Sequence, residues 1–142
     1  MESCARSLAE AQQAAALDPN DAGNRRVLGI LLGHGRRWAE ADVEFDDALE
    51  LDPNHADAWA MRADLATLGG QPAEGIELVR KALRLNPHPP GWYYWQLGQA
   101  QYAIRDYEAA VHTLHRPETY RTTSRRLLTA SLAQLGRLDE AR

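Results

Sequence analysis

The sequence predicts an all-α solenoid, and three observations predict it. The segments AAALDPN (14–20), ALELDPN (48–54) and ALRLNPH (82–88) align, so Pro19, Pro53 and Pro87 recur at a constant interval of 34 residues. A small-residue position recurs with them at Ser7, Ala41, Gly75, Ala110 and Ala141. Between these markers apolar residues such as Ile76, Val79, Ala82 and Leu83 follow helical spacing, with charges in the gaps. A short fixed period marks units too small to bury their own apolar faces, which therefore stack on their neighbours.

Each element follows from local signals. Residues 1–21 form a partial repeat in which 3–17 read as a second helix whose first helix is absent. Asp21 caps a helix over 22–35; Gly33, Gly35 and Arg36-Arg37 then lead into a helix over 38–51, ended by Asp52-Pro53, completing a repeat at 22–55. The next repeat, 56–90, holds helices at 56–68 and 73–85, with Pro72 at a first helical position, where its missing N–H costs nothing. The third, 91–121, holds helices at 91–104 and 106–115, the latter cut short by Pro117. A helix over 119–135 leads into the partial repeat 122–142, and the chain stops at LGRLDEAR as another helix begins. With no polar capping element at either end, the expectation is a piece of a longer protein, or a homodimer that covers the exposed ends.

The internal pattern resembles the tetratricopeptide repeat. Residues 22–55 match it at Leu28-Gly29, Leu32, Ala41, Phe45 and Pro53, with Arg25 where tryptophan is usual. Residues 56–90 keep Trp59 and Pro87 but have Arg62-Ala63, Ala66, Gly75 and Val79 at the other positions, looser yet in register; the third repeat gives Tyr94, Leu97-Gly98, Ala110 and Leu114, and the last gives Leu128, Leu132 and Ala141. The resemblance implies a right-handed superhelix of antiparallel helix pairs whose concave wall is built from the first helices. In that register the groove positions are Arg26, Ile30 and His34, then Met61 and Asp64, then Trp92, Trp95, Gln99 and Tyr102, then Arg126 and Ala130. The implied partner is a protein or peptide lying in the groove.

The stretch NPHPPGWYYW (86–95) is the least regular junction. Tyr93, Tyr94, Leu97, Gly98, Ala100 and Ile104 are assigned to packing. Trp92 and Trp95 share a helical face with Gln99 and Tyr102, and two roles stay open for them: filling a gap in the stack, or anchoring a ligand as aromatic residues do at interfaces.

Charge is unevenly spread. Eight acidic residues and no Lys or Arg lie between Trp38 and Met61, whereas five arginines face Glu118 alone from Arg116 to Arg137. Solvated faces explain this, with ligand steering as the alternative. The net charge of −4 argues against general affinity for nucleic acid. No stretch is long and apolar enough to cross a membrane, and the lone Cys4 leaves no internal disulfide, pointing to a cytoplasmic protein. Fifteen arginines against the single Lys81 suggest a GC-rich bacterial source. His112 and His115 lack a third metal ligand, no phosphate loop is present, and no nucleophile, base and oxyanion donors converge. The chain is thus expected to be non-catalytic, with no cofactor and no metal.

Residues 38–142, most closely at Asn86–Gly98 and Pro117–Arg142, also resemble the repeat region C-terminal to the catalytic domain of bacterial class III adenylate/guanylate cyclases. That resemblance implies a regulatory or interaction role beside a cyclase domain, and none of the cyclase's metal-binding aspartates maps onto this chain.

Overall fold

A computed structural model describes residues 2–119, 122–137 and 139–140. They form α1 (Glu2–Leu17), α2 (Ala22–His34), α3 (Trp38–Leu51), α4 (Ala56–Leu68), α5 (Pro72–Leu85), α6 (Gly91–Ala103), α7 (Tyr107–Leu114), a single 3-10 turn (Pro117–Thr119) and α8 (Thr122–Gln134). No helix is long and apolar enough to cross a membrane among the described residues. Caps fix the starts: Asp21 accepts from the Asn24 amide at 2.9 Å, and Asp106 does the same for Ala109 at 3.2 Å. His55, an unusual cap, accepts through Nδ1 from the Ala58 amide at 3.1 Å. Pro72 occupies the first position of α5.

The small and bulky positions of the repeat pack against each other. Phe45 on α3 is fully buried among Ala11, Ala15, Leu28, Leu32, Ala41 and Leu65. A second cluster joins Ala63, Ile76, Val79, Leu97 and Ala100, so the core runs continuously from pair to pair. Arg25, standing in the usual tryptophan place, turns outward to Glu44 at 3.0 Å and Asp47 at 3.4 Å.

Contacts are most extensive within the pairs α2–α3 and α4–α5. The first helices also touch one another in sequence, α2 with α4, α4 with α6 and α6 with α8. The second helices are spread further apart, so the first-helix layer is the inner, concave wall.

The third pair departs from this plan. Its second helix, α7, has 8 residues against 14 in α3 and in α5. Beyond Pro117 the chain makes the 3-10 turn instead of continuing a helix from 119, because the Thr119 hydroxyl donates to the Leu114 and Arg116 carbonyls at 2.8 and 2.7 Å. This turn sits directly on α6. A Cβ at Gly91 would lie 1.8 Å from the Glu118 carbonyl oxygen, so only glycine admits the approach. Ile104, assigned to packing from sequence, is 42% exposed because it follows the last turn of α6 as its C-cap. Ala141, the last small-residue position, lies outside the described residues.

Candidate functional site

The concave wall holds two neighbouring cavities, and α6 contributes to both. The first, of about 140 Å³, is enclosed by Ile30 and His34 from α2, Met61, Asp64 and Leu65 from α4, and Gln96 from α6. Asp64 is half-buried, and burial raises its carboxyl above the ordinary range while nearby His34 opposes the rise. Arg26, one turn before Ile30, points its Nη1 at the Met61 sulfur, 3.4 Å away.

The second cavity, of about 290 Å³, lies between α6 and α8. Trp95, Gln99 and Tyr102 form one side, Arg126, Leu127 and Ala130 the other, with Thr123 at its edge. Tyr102 is held from behind by the edge of Tyr107, centroid to centroid 5.3 Å. Arg126 is exposed.

Several polar atoms on this wall are buried without a partner inside the protein: Arg26 Nε, Trp95 Nε1, Gln96 Oε1 and Gln99 Oε1. Leaving a buried donor or acceptor unmade costs about 1–3 kcal/mol, so native proteins rarely collect such groups without reason. The contrast with Gln101 is instructive. This third glutamine of the run QLGQAQ faces the core, and its Oε1 accepts from the Thr113 hydroxyl at 2.7 Å.

The remaining sequence candidates are dispersed. Trp92, in the first turn of α6, lines neither cavity. It packs on the cluster of Ala60, Ala82 and Tyr93, its ring edge-on to Tyr93 at 4.5 Å. Tyr93 is fully buried and donates to Asp57, and burial reinforced by this bond raises its phenol well above the ordinary value. Tyr94 is covered by Arg116, whose guanidinium lies 4.0 Å above the ring and whose Nη2 donates to the phenol oxygen at 3.2 Å. His112, His115 and Cys4 are exposed, and no cluster of metal-ligating side chains occurs among the described residues. Gln96 was missed by sequence reasoning. Its only signal is a polar side chain on the core-facing side of α6, a signal that Gln101 shares.

The acidic run of α3 is partly neutralised from outside the groove. Arg25 meets Glu44 and Asp47, Arg62 meets Asp46, and Arg37 meets Glu40. The arginines of α2 and α4 are thus directed toward α3 and away from the cavity wall, except Arg26.

Comparison with known proteins identifies the repeat. Residues 44–77 match the Tetratricopeptide repeat family. The human Tetratricopeptide repeat protein 33 is 32% identical over 92 residues, covering 59% of this chain and 34% of that protein. The Peroxisomal targeting signal receptor of Komagataella phaffii is 33% identical over 68 residues, covering 48% of this chain but 12% of the receptor. The chain therefore spans about a third or less of the length of these relatives. Among solved structures, YrrB, described as a TPR protein with an unusual peptide-binding site, superposes with a TM-score of 0.75 at 26% identity, covering 92% of this chain and 69% of YrrB. A MamA structure from Desulfovibrio magneticus RS-1 gives 0.82 at 18% identity, covering 98% and 80% of the two chains, and shares the fold. Residues 44–77 thus carry a tetratricopeptide repeat, and the chain as a whole is similar to tetratricopeptide-repeat proteins.

Proposed function

We propose that this chain is a non-catalytic module that binds a segment of another protein along its concave wall. The observation that supports this best is the set of unpartnered buried groups on that wall, which includes both donors (Arg26 Nε, Trp95 Nε1) and acceptors (Gln96 Oε1, Gln99 Oε1). A polypeptide presents both kinds of complementary group at every residue. Trp95, Tyr102 and Arg126 belong to the residue types that dominate interface energetics and border one cavity of about 290 Å³. The peptide-binding site named for YrrB and the targeting-signal recognition named for the peroxisomal receptor favour the same reading.

Selection of short displayed peptides against the protein, followed by fluorescence anisotropy, tests it. Trp95→Ala and Arg126→Ala should each weaken the selected peptides at least about tenfold, the loss expected for an interface anchor. Unchanged binding by folded variants would remove the groove as the site.

The finer reading, a regulatory array attached to a bacterial nucleotide cyclase in the cytoplasm, rests on the sequence resemblance of residues 38–142. None of the relatives named above is a cyclase. Incubating this chain with ATP or GTP and a divalent metal should give no cyclic product. The full-length gene product should carry a cyclase domain, and one lacking it would exclude that parent. Association through the repeat ends predicts a dimer in sedimentation experiments.

A further inference from the structure

The cavity between α2, α4 and α6 has a chemistry that points to one kind of occupant. Its volume of about 140 Å³ is several times the ~30 Å³ share of a single water, which suits one long side chain. Ile30, Met61 and Leu65 give it apolar walls, and Asp64 and Gln96 give it oxygen acceptors. Gln96 is 8% exposed, and its Oε1 is buried with no partner. Asp64 has no ion-pair or hydrogen-bond partner among the described residues, although the sequence places three arginines close by on α2 and α4. Arg25 and Arg62 turn to the acids of α3, and Arg26 rests its Nη1 on Met61. His34 is exposed at the rim.

A cleft with apolar walls and two oxygen acceptors complements a side chain with an apolar stem and a cationic tip. Resting on the groove reading above, we propose that this cavity takes a lysine or arginine side chain of the bound segment. The stem lies against Ile30, Met61 and Leu65, and the charged end donates to Asp64 and Gln96. The half-buried Asp64 carboxylate, unpaired among the described residues, supplies the attraction, since a charge-assisted hydrogen bond is roughly twice as strong as a neutral one. An acidic or purely aliphatic side chain would leave Asp64 repelled or unpaired, so the cavity acts as a specificity pocket and the α6–α8 cavity as an aromatic anchor beside it.

Nuclear magnetic resonance titration tests the pocket without a known peptide. The probes are N-acetyl-lysine amide, N-acetyl-arginine amide, N-acetyl-norleucine amide and N-acetyl-glutamate amide, added to the isotopically labelled protein. Lysine or arginine amide should shift the Gln96 side-chain amide and the Asp64 backbone amide in a saturable way, and the comparison of the two shows which cation is preferred. Norleucine and glutamate amides should not. Asp64→Asn, which keeps the shape, should weaken the effect about tenfold, as expected for one charge-assisted hydrogen bond. Equal shifts with norleucine amide, absence of any saturable shift at Gln96, or indifference to Asp64→Asn would each overturn the proposal. The displayed peptides separate it from the broader reading: groove binders sensitive to Trp95→Ala but lacking a basic residue and indifferent to Asp64→Asn would leave the groove standing and eliminate the cation pocket.

Discussion

The pairs α2–α3 and α4–α5 keep the 34-residue period, whereas the pair α6–α7 gains a residue before it and has a second helix of 8 residues in place of 14, more than a turn and a half shorter. In the regular pairs, small residues receive bulky ones in the same way each time, as Phe45 is received by α1, α2 and α4. In the irregular pair, the lost helical length is replaced by a 3-10 turn seated on Gly91, and Trp92, Trp95, Gln96 and Gln99 sit on the helix beneath it. Regular repeats thus supply a rigid backing. The aperiodic pair adds the unpartnered indole and amide groups of α6, while the first helices of the regular pairs, α2 and α4, supply most of the neighbouring cavity.

The largest effect should come from the regular part. Phe45→Ala removes a fully buried ring and should destabilise by about 3–5 kcal/mol in urea denaturation, the usual cost of deleting a core aromatic. A change below about 1 kcal/mol would mean that the surrounding helices collapse into the space and that the backing is softer than the close packing suggests.

Next comes the irregular junction. At Gly91 even a methyl group meets a backbone oxygen, which cannot rotate away, so Gly91→Ala must displace the 3-10 turn from α6. The expected cost is about 3 kcal/mol, in the range of severe local strain. Hydrogen exchange should place the loss in α6–α8 while α2–α3 keeps its protection. Uniform loss across the stack would show that the two regions do not unfold separately.

How much of this was legible in the sequence follows from what periodicity can carry. Proline spacing, the Asp21 cap and the small-residue ladder located nearly every helix, because those signals are local or repeat-wide. Pro117 announced where a helix stops but not that Thr119 would close a 3-10 turn. Repeat register put Ile30, His34, Met61, Asp64, Trp95, Gln99, Tyr102 and Arg126 along one groove, but not the division of that wall into two cavities, which depends on how α6 packs between α4 and α8. It could not separate Trp92 from Trp95, since that depends on Ala60 and Ala82 packing under α6. Gln96 was invisible for a similar reason. A glutamine reads alike whether a partner awaits it, as for Gln101, or not.

Asp64 gives a smaller effect with a definite sign. Its carboxyl is raised by burial, with His34 opposing, so the folded chain binds a proton where the unfolded chain has already lost it. Stability from this group therefore falls as pH rises from the ordinary carboxylate range through the raised value. Asp64→Asn should remove that slope and stabilise the free protein near neutral pH by about 1 kcal/mol, in line with relief of a functional-site cost. Thermal melts across acidic to neutral pH check it; an unchanged slope would mean that the side chain is better solvated than its position implies.

The smallest effect probes what the regular and irregular pairs still share. The turn that follows each first helix carries one left-handed residue, Arg36, Gly70, Arg105 and Gly136, with φ of 61, 90, 65 and 71°. Two of the four are arginine, although a side chain in this region costs roughly 1 kcal/mol. Arg36→Gly and Arg105→Gly should therefore each raise stability by up to about 1 kcal/mol, offset in part by the greater freedom of glycine in the unfolded chain. Gly70→Ala should lower it by a similar amount. Nothing lies within 4 Å of a Cβ built at Gly70, so the penalty there is one of backbone conformation alone. Equal gains at Arg36 and Arg105 would show that the turn is common to both kinds of pair, confining the irregularity to α7 and the segment after it. A gain at Arg36 with a loss at Arg105 would instead extend the irregularity back into the α6–α7 turn, making the whole third unit a separate structural solution.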